Sequence, residues 1–187
     1  MNTLSFVPSI DIIIGPMYSG KTTELIRRLE LYHELGKKVL YINHNIDNRS
    51  KTSFSTHSNT ITQVPYDNIK VDELDKVKLD YDIIGIDEGQ FFPNLFKTVK
   101  SWVEDEKKTV IISGLNGDYK RKEMGELLQL IPLCDSITKL SSFCKYCKDR
   151  NSLRLGIFTK RITVEKDLIK IGGKDSYAPV CRECFLK

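Results

Sequence analysis

The chain contains 187 residues, of which 40% are hydrophobic and 29% are charged, which suits one domain with a sizeable core or one domain with a small appendage. Its net charge of +4 is spread along the chain, so electrostatics alone do not indicate binding to nucleic acid. Mean hydropathy is −0.30, and no apolar run approaches the ~18 residues that cross a bilayer. The beginning of the chain lacks a basic segment followed by a long apolar one, so we expect no secretory signal. The composition therefore argues against membrane, secreted, fibrous and disordered classes.

Strand-like and helix-like patterns alternate along most of the chain. We predict strands for the β-branched runs bounded by glycine or polar residues, namely residues 9–15, 38–43, 61–64, 81–87, 109–113 and 137–141. We predict helices where apolar residues recur at helical spacing, namely residues 21–35, 71–79, 94–107 and 123–130. Gly36 is expected to terminate the first helix, and Trp102 is expected in the core. This alternation predicts an α/β fold, a mostly parallel sheet with helices on both faces.

A glycine-rich segment follows the first predicted strand. Residues 15–22, Gly-Pro-Met-Tyr-Ser-Gly-Lys-Thr, match the pattern G-x-x-x-x-G-K-[ST] and lie between a predicted strand and a predicted helix. In such a loop, backbone N–H groups and the N-terminal end of the helix point at phosphate oxygens. Lys21 can then reach the β- and γ-phosphates, and the Thr22 hydroxyl can coordinate Mg²⁺. An ordinary glycine-rich turn is the alternative, but the placement favours a P-loop that binds a nucleoside triphosphate in a RecA-like sheet.

Two carboxylates end the predicted strand over residues 81–87. Asp87 occupies the position from which P-loop enzymes support Mg²⁺. Glu88 follows directly, and at the carboxyl edge of a parallel sheet it would lie near the γ-phosphate. There it can accept the proton of an attacking hydroxyl or water. A solvated loop carboxylate is the alternative for each residue, and these positions alone leave open whether ATP is hydrolysed or its phosphoryl group is transferred.

Four of the five cysteines form two Cys-x-x-Cys pairs, Cys144 with Cys147 and Cys181 with Cys184. Together they supply four thiolates, the ligand set of a closed tetrahedral zinc site. Redox-active thiols are the alternative, since without a secretory signal a disulfide framework is the poorer interpretation. We therefore expect a nucleotide-binding domain over residues 1–142 and a zinc-binding lasso domain over residues 143–187.

These motifs together resemble the type II thymidine kinases, the class found in the cytosol, in bacteria and in large DNA viruses. The resemblance rests on the glycine-rich loop, on Asp-Glu-Gly-Gln-Phe-Phe at residues 87–92, on Gly-Leu-Asn-Gly-Asp-Tyr at residues 114–119 and on the two cysteine pairs. It implies an enzyme of pyrimidine salvage that supports DNA synthesis. Such an enzyme transfers the γ-phosphoryl group of ATP to the 5′-hydroxyl of thymidine, giving dTMP and ADP, with deoxyuridine as a secondary substrate.

The resemblance also implies roles for individual residues. Glu88 would be the base that receives the 5′-hydroxyl proton, while Lys21 and Arg49 would neutralise charge on the transferring phosphoryl group. Thr22 and Asp87 would support Mg²⁺. The implied ATP-binding residues are Gly15, Pro16, Met17, Tyr18, Ser19, Gly20, Lys21, Thr22, Asp47, Asn48, Arg49, Asp87, Glu88, Gly89 and Gln90.

A nucleoside pocket is implied by the same comparison. Its residues are Met17, Phe91, Leu115, Tyr119, Met124, Thr159, Leu168, Ile169, Lys170, Ile171, Gly172 and Tyr177. The segment at residues 168–172 matches a loop that closes over the nucleoside, with the zinc site anchoring that loop. Tyr119 stands where the family commonly has phenylalanine, and Met124 stands where a further aromatic residue is usual.

The implied cofactors are Mg²⁺ with ATP and a structural Zn²⁺. The implied partners are ATP, thymidine, dTTP as a feedback inhibitor and further copies of the chain in a homotetramer, with no nucleic acid and no membrane. The expected location is the cytoplasm, or the host cytoplasm if the protein is viral.

Two other classes of function stay open. One is a P-loop ATPase whose zinc module binds nucleic acid, although few aromatic residues are interleaved with basic ones. The other is a non-catalytic nucleotide-binding scaffold, which the joint presence of Lys21, Thr22, Asp87 and Glu88 makes the weaker alternative.

Overall fold

The computed structural model describes residues 7–46, 54–55, 61–62, 64–163 and 176–187. In chain order the strands and helices are β1 Ile10–Gly15, α1 Lys21–Glu34, β2 Val39–His44, β3 Phe54–Ser55, β4 Ile61–Thr62, β5 Asp67–Val71, β6 Ile83–Ile86, α2 Leu95–Glu104, β7 Thr109–Leu115, β8 Ser136–Lys139, β9 Ser142–Phe143, α3 Lys145–Lys148, β10 Leu155–Gly156, β11 Phe158–Arg161, β12 Tyr177–Val180 and α4 Arg182–Leu186. Short 3₁₀ helices lie at Leu74–Lys76, Gly89–Phe91 and Leu127–Leu133. Across these ranges no helix has the length and apolarity that crossing a membrane requires.

A parallel sheet forms the centre of the molecule. Within the described residues it has six strands in the order β5, β2, β6, β7, β1 and β8, and every pairing is parallel. Ile86 pairs with Ile42 on one side and with Ile112 on the other. Because all strands run the same way, their carboxyl ends share one edge, which we call the carboxyl edge. The sheet and its helices confirm the predicted α/β fold.

Alternate residues of the strands face two separate cores. On one face, Ile12, Ile86 and Ile112 are fully buried in a cluster that also contains Leu95 of α2. Trp102 of the same helix is 6% exposed in this cluster, which confirms its predicted place in the core.

Helix α1 packs on the opposite face of the sheet. Leu25 and Leu29 are buried there with Tyr41 and Ile83, because their helical spacing places them on one side of α1. A Cβ atom on Gly85 would lie 2.4 Å from Leu29 Cδ1, so the glycine lets the helix approach the strand. This close packing brings the first turn of α1 to the end of β6.

Two predicted helices are wrong in type or extent. Residues 71–79 were predicted as a helix, but Val71 ends strand β5 and only Leu74–Lys76 is helical. The strand was missed because it pairs at the edge of the sheet and carries few apolar residues. The predicted helix over residues 123–130 is a 3₁₀ helix at Leu127–Leu133, and Gly125 before it has a φ of 63° that no α-helix contains.

The C-terminal region is built from short elements around the paired cysteines. Strands β9 and β10 pair antiparallel, as do β11 and β12. Cys144 directly precedes α3, and Cys181 directly precedes α4. We call residues 142–163 with 176–187 the cysteine module. Its core consists of Cys144, Cys147, Ala178, Val180, Cys181 and Cys184, with Tyr146, Phe158 and Phe185 packed against them.

Candidate active site

The glycine-rich loop connects β1 to α1 at the carboxyl edge. Tyr18 and Gly20 have positive φ angles of 65° and 83°, which turn the chain sharply into the helix. The first turn of α1 therefore directs backbone N–H groups toward the interior of the loop. Lys21 is 6% exposed, and its Nζ donates a 2.9 Å hydrogen bond to the carbonyl oxygen of Pro16. A phosphate in the loop would offer the same ammonium group a charged acceptor.

The carboxylate of Asp87 is buried at the end of β6 and accepts four hydrogen bonds. Its Oδ2 accepts from Thr22 Oγ1 at 2.8 Å and from the Tyr41 hydroxyl at 2.9 Å. Its Oδ1 accepts from the Ser113 hydroxyl and from the backbone N–H of Glu88 at 3.0 Å. Thr22 reaches this carboxylate because α1 packs on the face of β6 toward which Asp87 points.

Burial raises the pKa of Asp87 above its ordinary value because the charged form is desolvated, and the neighbouring Glu88 carboxylate raises it further. The hydroxyls of Ser113, Thr22 and Tyr41 act in the opposite direction by donating to the ionised form. These donors are neutral, so a divalent cation beside Thr22 and Asp87 would stabilise the carboxylate more strongly. Hydroxyl and carboxylate oxygens are ligands that Mg²⁺ accepts, and the pair therefore fits Mg²⁺ bound with ATP.

Glu88 lies next to this pair in an unusual backbone conformation. Its φ and ψ are 53° and 42°, the left-handed region, which costs a non-glycine residue about 1–2 kcal/mol. The 3₁₀ turn that follows fixes the conformation, since the Phe91 N–H donates to the Glu88 carbonyl at 3.0 Å. The Glu88 carboxylate accepts a 2.7 Å hydrogen bond from Gln90 Nε2. This half-buried carboxylate is thus held at the carboxyl edge, beside the proposed cation ligands.

Strands β11 and β12 of the cysteine module approach the glycine-rich loop. The backbone N–H of Met17 donates a 3.0 Å hydrogen bond to Thr159 Oγ1. The Arg161 guanidinium lies 4.1 Å from the ring centroid of Tyr119 and 5.2 Å from that of Tyr177. It also donates a 2.5 Å hydrogen bond to the Tyr177 hydroxyl. These contacts bring together four of the residues that the family resemblance assigns to the nucleoside pocket, namely Met17, Tyr119, Thr159 and Tyr177.

The four paired cysteines converge in the module. The sulfur atoms of Cys144, Cys147, Cys181 and Cys184 all lie within 4.8 Å of one another, and all four residues are buried. Cys147 Sγ lies 3.8 Å from Cys181 Sγ and 3.7 Å from Cys184 Sγ. Sulfur ligands at ~2.3 Å from a tetrahedral zinc ion are about 3.8 Å apart, whereas disulfide sulfurs are about 2.05 Å apart. The cluster therefore fits a four-thiolate zinc site.

The ionisation of these thiols also suits a metal site. A backbone hydrogen bond at Cys184 lowers the pKa of Cys181 to about 6, while desolvation raises the pKa of Cys147 to about 12. Such opposite shifts arise when neighbouring groups compete for ionisation. A cation removes this competition because each sulfur can bind it as a thiolate. Arg150 supports the cluster from outside by donating a 3.1 Å hydrogen bond to Cys184 Sγ.

The structure also describes Phe91, Leu115 and Met124, three further residues that the family resemblance assigns to the nucleoside pocket. The Phe91 ring lies 5.8 Å from the His44 ring, and the Leu115 N–H donates to Gln90 Oε1 at 3.0 Å. Met124 is half-buried on the segment before the 3₁₀ helix Leu127–Leu133. Outside the described residues lie Asp47, Asn48, Arg49 and residues 168–172.

Sequence reasoning missed three residues that the structure brings into the site. Tyr41 and Ser113 donate to Asp87, and Arg161 lies over the Tyr119 ring and donates to the Tyr177 hydroxyl. Ser113 carried a usable signal, because a hydroxyl that follows three apolar residues of a predicted buried strand needs a buried partner. Arg161 carried none, since its partners lie far away in the sequence.

A parallel sheet with a glycine-rich loop after β1 and an aspartate at the end of β6 defines the class of P-loop nucleotide-binding proteins. In this protein a cysteine module, with the geometry of a zinc site, is joined to that sheet.

Comparison with known sequences narrows the class. The family described as thymidine kinase matches residues 8–185. The cytosolic thymidine kinase of Cricetulus griseus is 40% identical over 179 residues, which is 95% of this chain and 73% of that protein. The cytosolic enzyme of Homo sapiens is 39% identical with the same two shares, 95% and 73%. The thymidine kinase of Myxoma virus (strain Uriarra) is 39% identical over 94% of this chain and 95% of that protein. The chain therefore belongs to the thymidine kinase family of nucleoside kinases, which confirms the resemblance noted from its motifs.

Proposed function

We propose that this protein transfers the γ-phosphoryl group of ATP to the 5′-hydroxyl of thymidine, giving dTMP and ADP, with deoxyuridine as a secondary substrate. The observation that carries the proposal is the position of Glu88. This residue directly follows Asp87 in the chain, and Asp87 accepts a hydrogen bond from Thr22. A carboxylate there supplies what a kinase needs besides ATP binding, a proton acceptor for the attacking hydroxyl. Family membership supports a nucleoside as the acceptor, since the relatives are named thymidine kinases.

ATP is proposed to bind in the loop over residues 15–22. The Lys21 ammonium would exchange its Pro16 carbonyl partner for phosphate oxygens, as the buried position of its Nζ suggests. Thr22 and Asp87 would hold the Mg²⁺ that accompanies ATP, and that ion supplies charge neutralisation at the phosphates. Asp47, Asn48 and Arg49 are added to this site by family resemblance alone, as are Gly89 and Gln90.

In the proposed transfer, the 5′-oxygen of the nucleoside forms a bond to the γ-phosphorus while the bond from that phosphorus to the bridging oxygen breaks, and ADP leaves. Glu88 takes the proton of the 5′-hydroxyl. Lys21 and Arg49 stabilise charge on the phosphoryl oxygens. Because the transition state of such transfers is loose, fixed positions contribute more than the strength of the base.

The nucleoside is proposed to lie between the carboxyl edge and the cysteine module. Aromatic and thioether side chains suit a flat pyrimidine. The contacts of Thr159 with Met17, and of Arg161 with Tyr119 and Tyr177, support a pocket shared by both parts of the chain. The proposed pocket residues are Met17, Phe91, Leu115, Tyr119, Met124, Thr159, Leu168, Ile169, Lys170, Ile171, Gly172 and Tyr177.

We extend the proposal to the assembly and the location of the protein. The cysteine geometry supports a structural Zn²⁺ on the four sulfurs. We propose a zinc-binding domain over residues 143–187 that follows a nucleotide-binding domain over residues 1–142. A homotetramer, feedback inhibition by dTTP and a cytoplasmic location without nucleic-acid or membrane partners are proposed from family resemblance. The location is supported by two relatives that are named as cytosolic thymidine kinases.

A nucleoside panel tests the proposed reaction. Purified protein is incubated with Mg-ATP and thymidine, deoxyuridine, deoxycytidine or deoxyguanosine, and nucleoside monophosphate and ADP are quantified. We expect dTMP and ADP in equal amounts, less product from deoxyuridine and little from the other two nucleosides. ADP formed at the same rate without any nucleoside would contradict the proposal. Stimulation of that ADP formation by DNA or RNA would favour the nucleic-acid-dependent ATPase instead.

A further inference from the structure

The side chain of Gln90 bridges two parts of the site. Its Nε2 donates a 2.7 Å hydrogen bond to the carboxylate of Glu88, and its Oε1 accepts a 3.0 Å hydrogen bond from the backbone N–H of Leu115. Gln90 is only 4% exposed, so water competes little for either bond. Family resemblance assigns Gln90 to the ATP site, but its amide faces the proposed base on one side and a proposed wall of the nucleoside pocket on the other.

Only one orientation of the Gln90 amide satisfies both neighbours. The Leu115 N–H can only donate, and an ionised Glu88 carboxylate can only accept. The amide oxygen therefore faces Leu115 and the NH₂ group faces Glu88. An ionised carboxylate in place of the amide would offer acceptors to both neighbours, and an ammonium group would offer donors to both, so an amide is the group that fits.

The surrounding backbone encloses this amide closely. A Cβ atom on Gly114 would lie 2.5 Å from Gln90 Oε1. A Cβ atom on Gly125 would lie 2.2 Å from the backbone oxygen of Gln90. Gly114 of β7 thus leaves room for the Gln90 side chain, and Gly125 before the 3₁₀ helix Leu127–Leu133 leaves room for its backbone. A side chain that is already ordered costs little entropy when it orients another group.

We infer that Gln90 is the positioning residue of the base, holding the Glu88 carboxylate at a fixed distance from the Leu115 backbone; this inference rests on the proposed kinase reaction. A neutral amide suits this role. A lysine or arginine beside Glu88 would favour the ionised carboxylate by about 1–3 pKa units and make it a weaker proton acceptor, whereas an amide orients it at smaller cost. Gln90 thereby fixes the Glu88 carboxylate, which is proposed to accept the 5′-hydroxyl proton, relative to Leu115, which is proposed to line the pocket for the nucleoside base.

Gln90→Glu separates the two hydrogen bonds. The new side chain can still accept from Leu115, but it donates to Glu88 only when one proton is shared between the two carboxyls. We expect kcat for dTMP formation to fall about tenfold or more, because the ionised side chain keeps the hydrogen bond from Leu115 but repels the Glu88 carboxylate. The KM for ATP should stay within about threefold, because the glycine-rich loop is not altered.

Two further variants complete the experiment. Gln90→Met has a similar volume and makes neither hydrogen bond, so it serves if Q90E does not fold. It should lose about 10–100-fold in kcat. Gln129→Glu places the same change at an exposed glutamine and should keep the wild-type rate and pH profile.

The outcomes separate the inference from the function on which it rests. A wild-type protein that forms no dTMP overturns the proposed function before any variant is compared. A wild type that forms dTMP, with both Gln90 variants within about threefold of it at every pH, overturns the positioning role alone. A loss that appears as a higher KM for ATP, with kcat within about threefold of the wild type, also overturns that role, because a residue that positions the base acts on kcat.

Discussion

The carboxyl edge and the contact between the cysteine module and the loop at residues 117–122 are assembled in different ways. At the carboxyl edge, hydrogen bonds of 2.8 Å from Thr22 and 2.9 Å from Tyr41 converge on one buried carboxylate. At the module contact, cations lie over aromatic rings: Arg161 of the module lies 4.1 Å from the Tyr119 ring. In return, Arg121 of the loop lies 4.4 Å from the Phe185 ring of the module.

This difference has consequences for function. Hydrogen bonds weaken steeply when their geometry is disturbed. A cation can shift over the face of an aromatic ring and keep most of its attraction to the ring. The carboxyl edge is therefore suited to chemistry that needs fixed atoms, and the module contact is suited to holding a substrate. We expect substitutions at the carboxyl edge to change kcat and substitutions at the module contact to change the KM for the nucleoside.

The largest effect is expected from breaking the cysteine cluster. Cys147→Ser removes one of the four sulfurs that we propose as zinc ligands. Structural zinc sites contribute about 10–16 kcal/mol to folding, so on this proposal the variant should not hold zinc and its module should unfold. Formation of dTMP should fall more than about 100-fold, since Thr159, Arg161 and Tyr177 lose their support. Elemental analysis and a rate assay measure both effects.

Cys134→Ser is the matched control, because Cys134 lies outside the cluster. ATP binding by C147S is measured separately, to compare the cysteine module with the carboxyl edge. We expect ATP binding to persist because the glycine-rich loop belongs to the sheet. A C147S protein that keeps both zinc and the wild-type rate would contradict the account.

Asp87→Asn should lower the activity of the protein and raise its stability. We expect kcat to fall about 10²–10³-fold, because the variant removes the charge that we propose supports Mg²⁺. The ligand-free variant should nevertheless be more stable than the wild type at neutral pH. Its amide can donate to the hydroxyl oxygens of Thr22 and Tyr41, so the hydrogen-bond network survives.

The pH dependence of that gain follows from the raised pKa of Asp87. The folded state binds the Asp87 proton more tightly than the unfolded chain, so the wild type loses stability as pH rises from the ordinary aspartate range through the raised value. The gap in Tm between D87N and the wild type should therefore shrink as pH falls, at ~2–4 °C for each kcal/mol. A D87N protein that is less stable at every pH would refute this prediction.

A medium effect is expected at the module contact. Arg161→Met removes two ring contacts, each worth about 0.5–2 kcal/mol, so the KM for thymidine should rise about tenfold while kcat stays within about threefold. Arg27→Met, at an exposed arginine paired with Glu24 on α1, is the control and should change neither constant. A loss in kcat at unchanged KM would mean that Arg161 acts as the residues of the carboxyl edge do. That result would contradict the functional difference between the two regions.

The smallest effect is expected for Tyr41→Phe. It removes one of the hydrogen bonds to Asp87 and should lower the free energy of unfolding by about 1 kcal/mol and kcat by only about two- to fivefold, because the other donors remain. Tyr66→Phe is a matched control, since the buried Tyr66 hydroxyl has no hydrogen-bond partner among the described residues. If chemical denaturation shows that Y41F and Y66F are equally stable, the Tyr41 bond contributes nothing.

Much of the fold could be predicted because its signals are local. The strands β1, β6 and β7 are β-branched runs, and the glycine-rich loop and the cysteine pairs are contiguous or closely spaced motifs. Strand β5 was missed because an edge strand buries few side chains, and the helix predicted over residues 123–130 was wrong because Gly125 adopts a positive φ.

The candidate site was predictable to a smaller extent. The approach of Thr22 to Asp87 could be anticipated from the strand–loop–helix motif. The partners of Arg161 and the two acceptor–donor contacts of Gln90 could not, because they depend on how separate loops pack in three dimensions.

The measurement that tests the central claim most directly is the single-turnover rate of dTMP formation by Glu88→Gln at saturating Mg-ATP and thymidine. Glutamine keeps the size of the side chain, and its oxygen can still accept from Gln90, but it cannot take up the proton of the 5′-hydroxyl. We predict a rate about 10³-fold below the wild type, with affinities for ATP and thymidine within about threefold. A rate within about tenfold of the wild type, with the same pH profile, would contradict the assignment of Glu88 as the base.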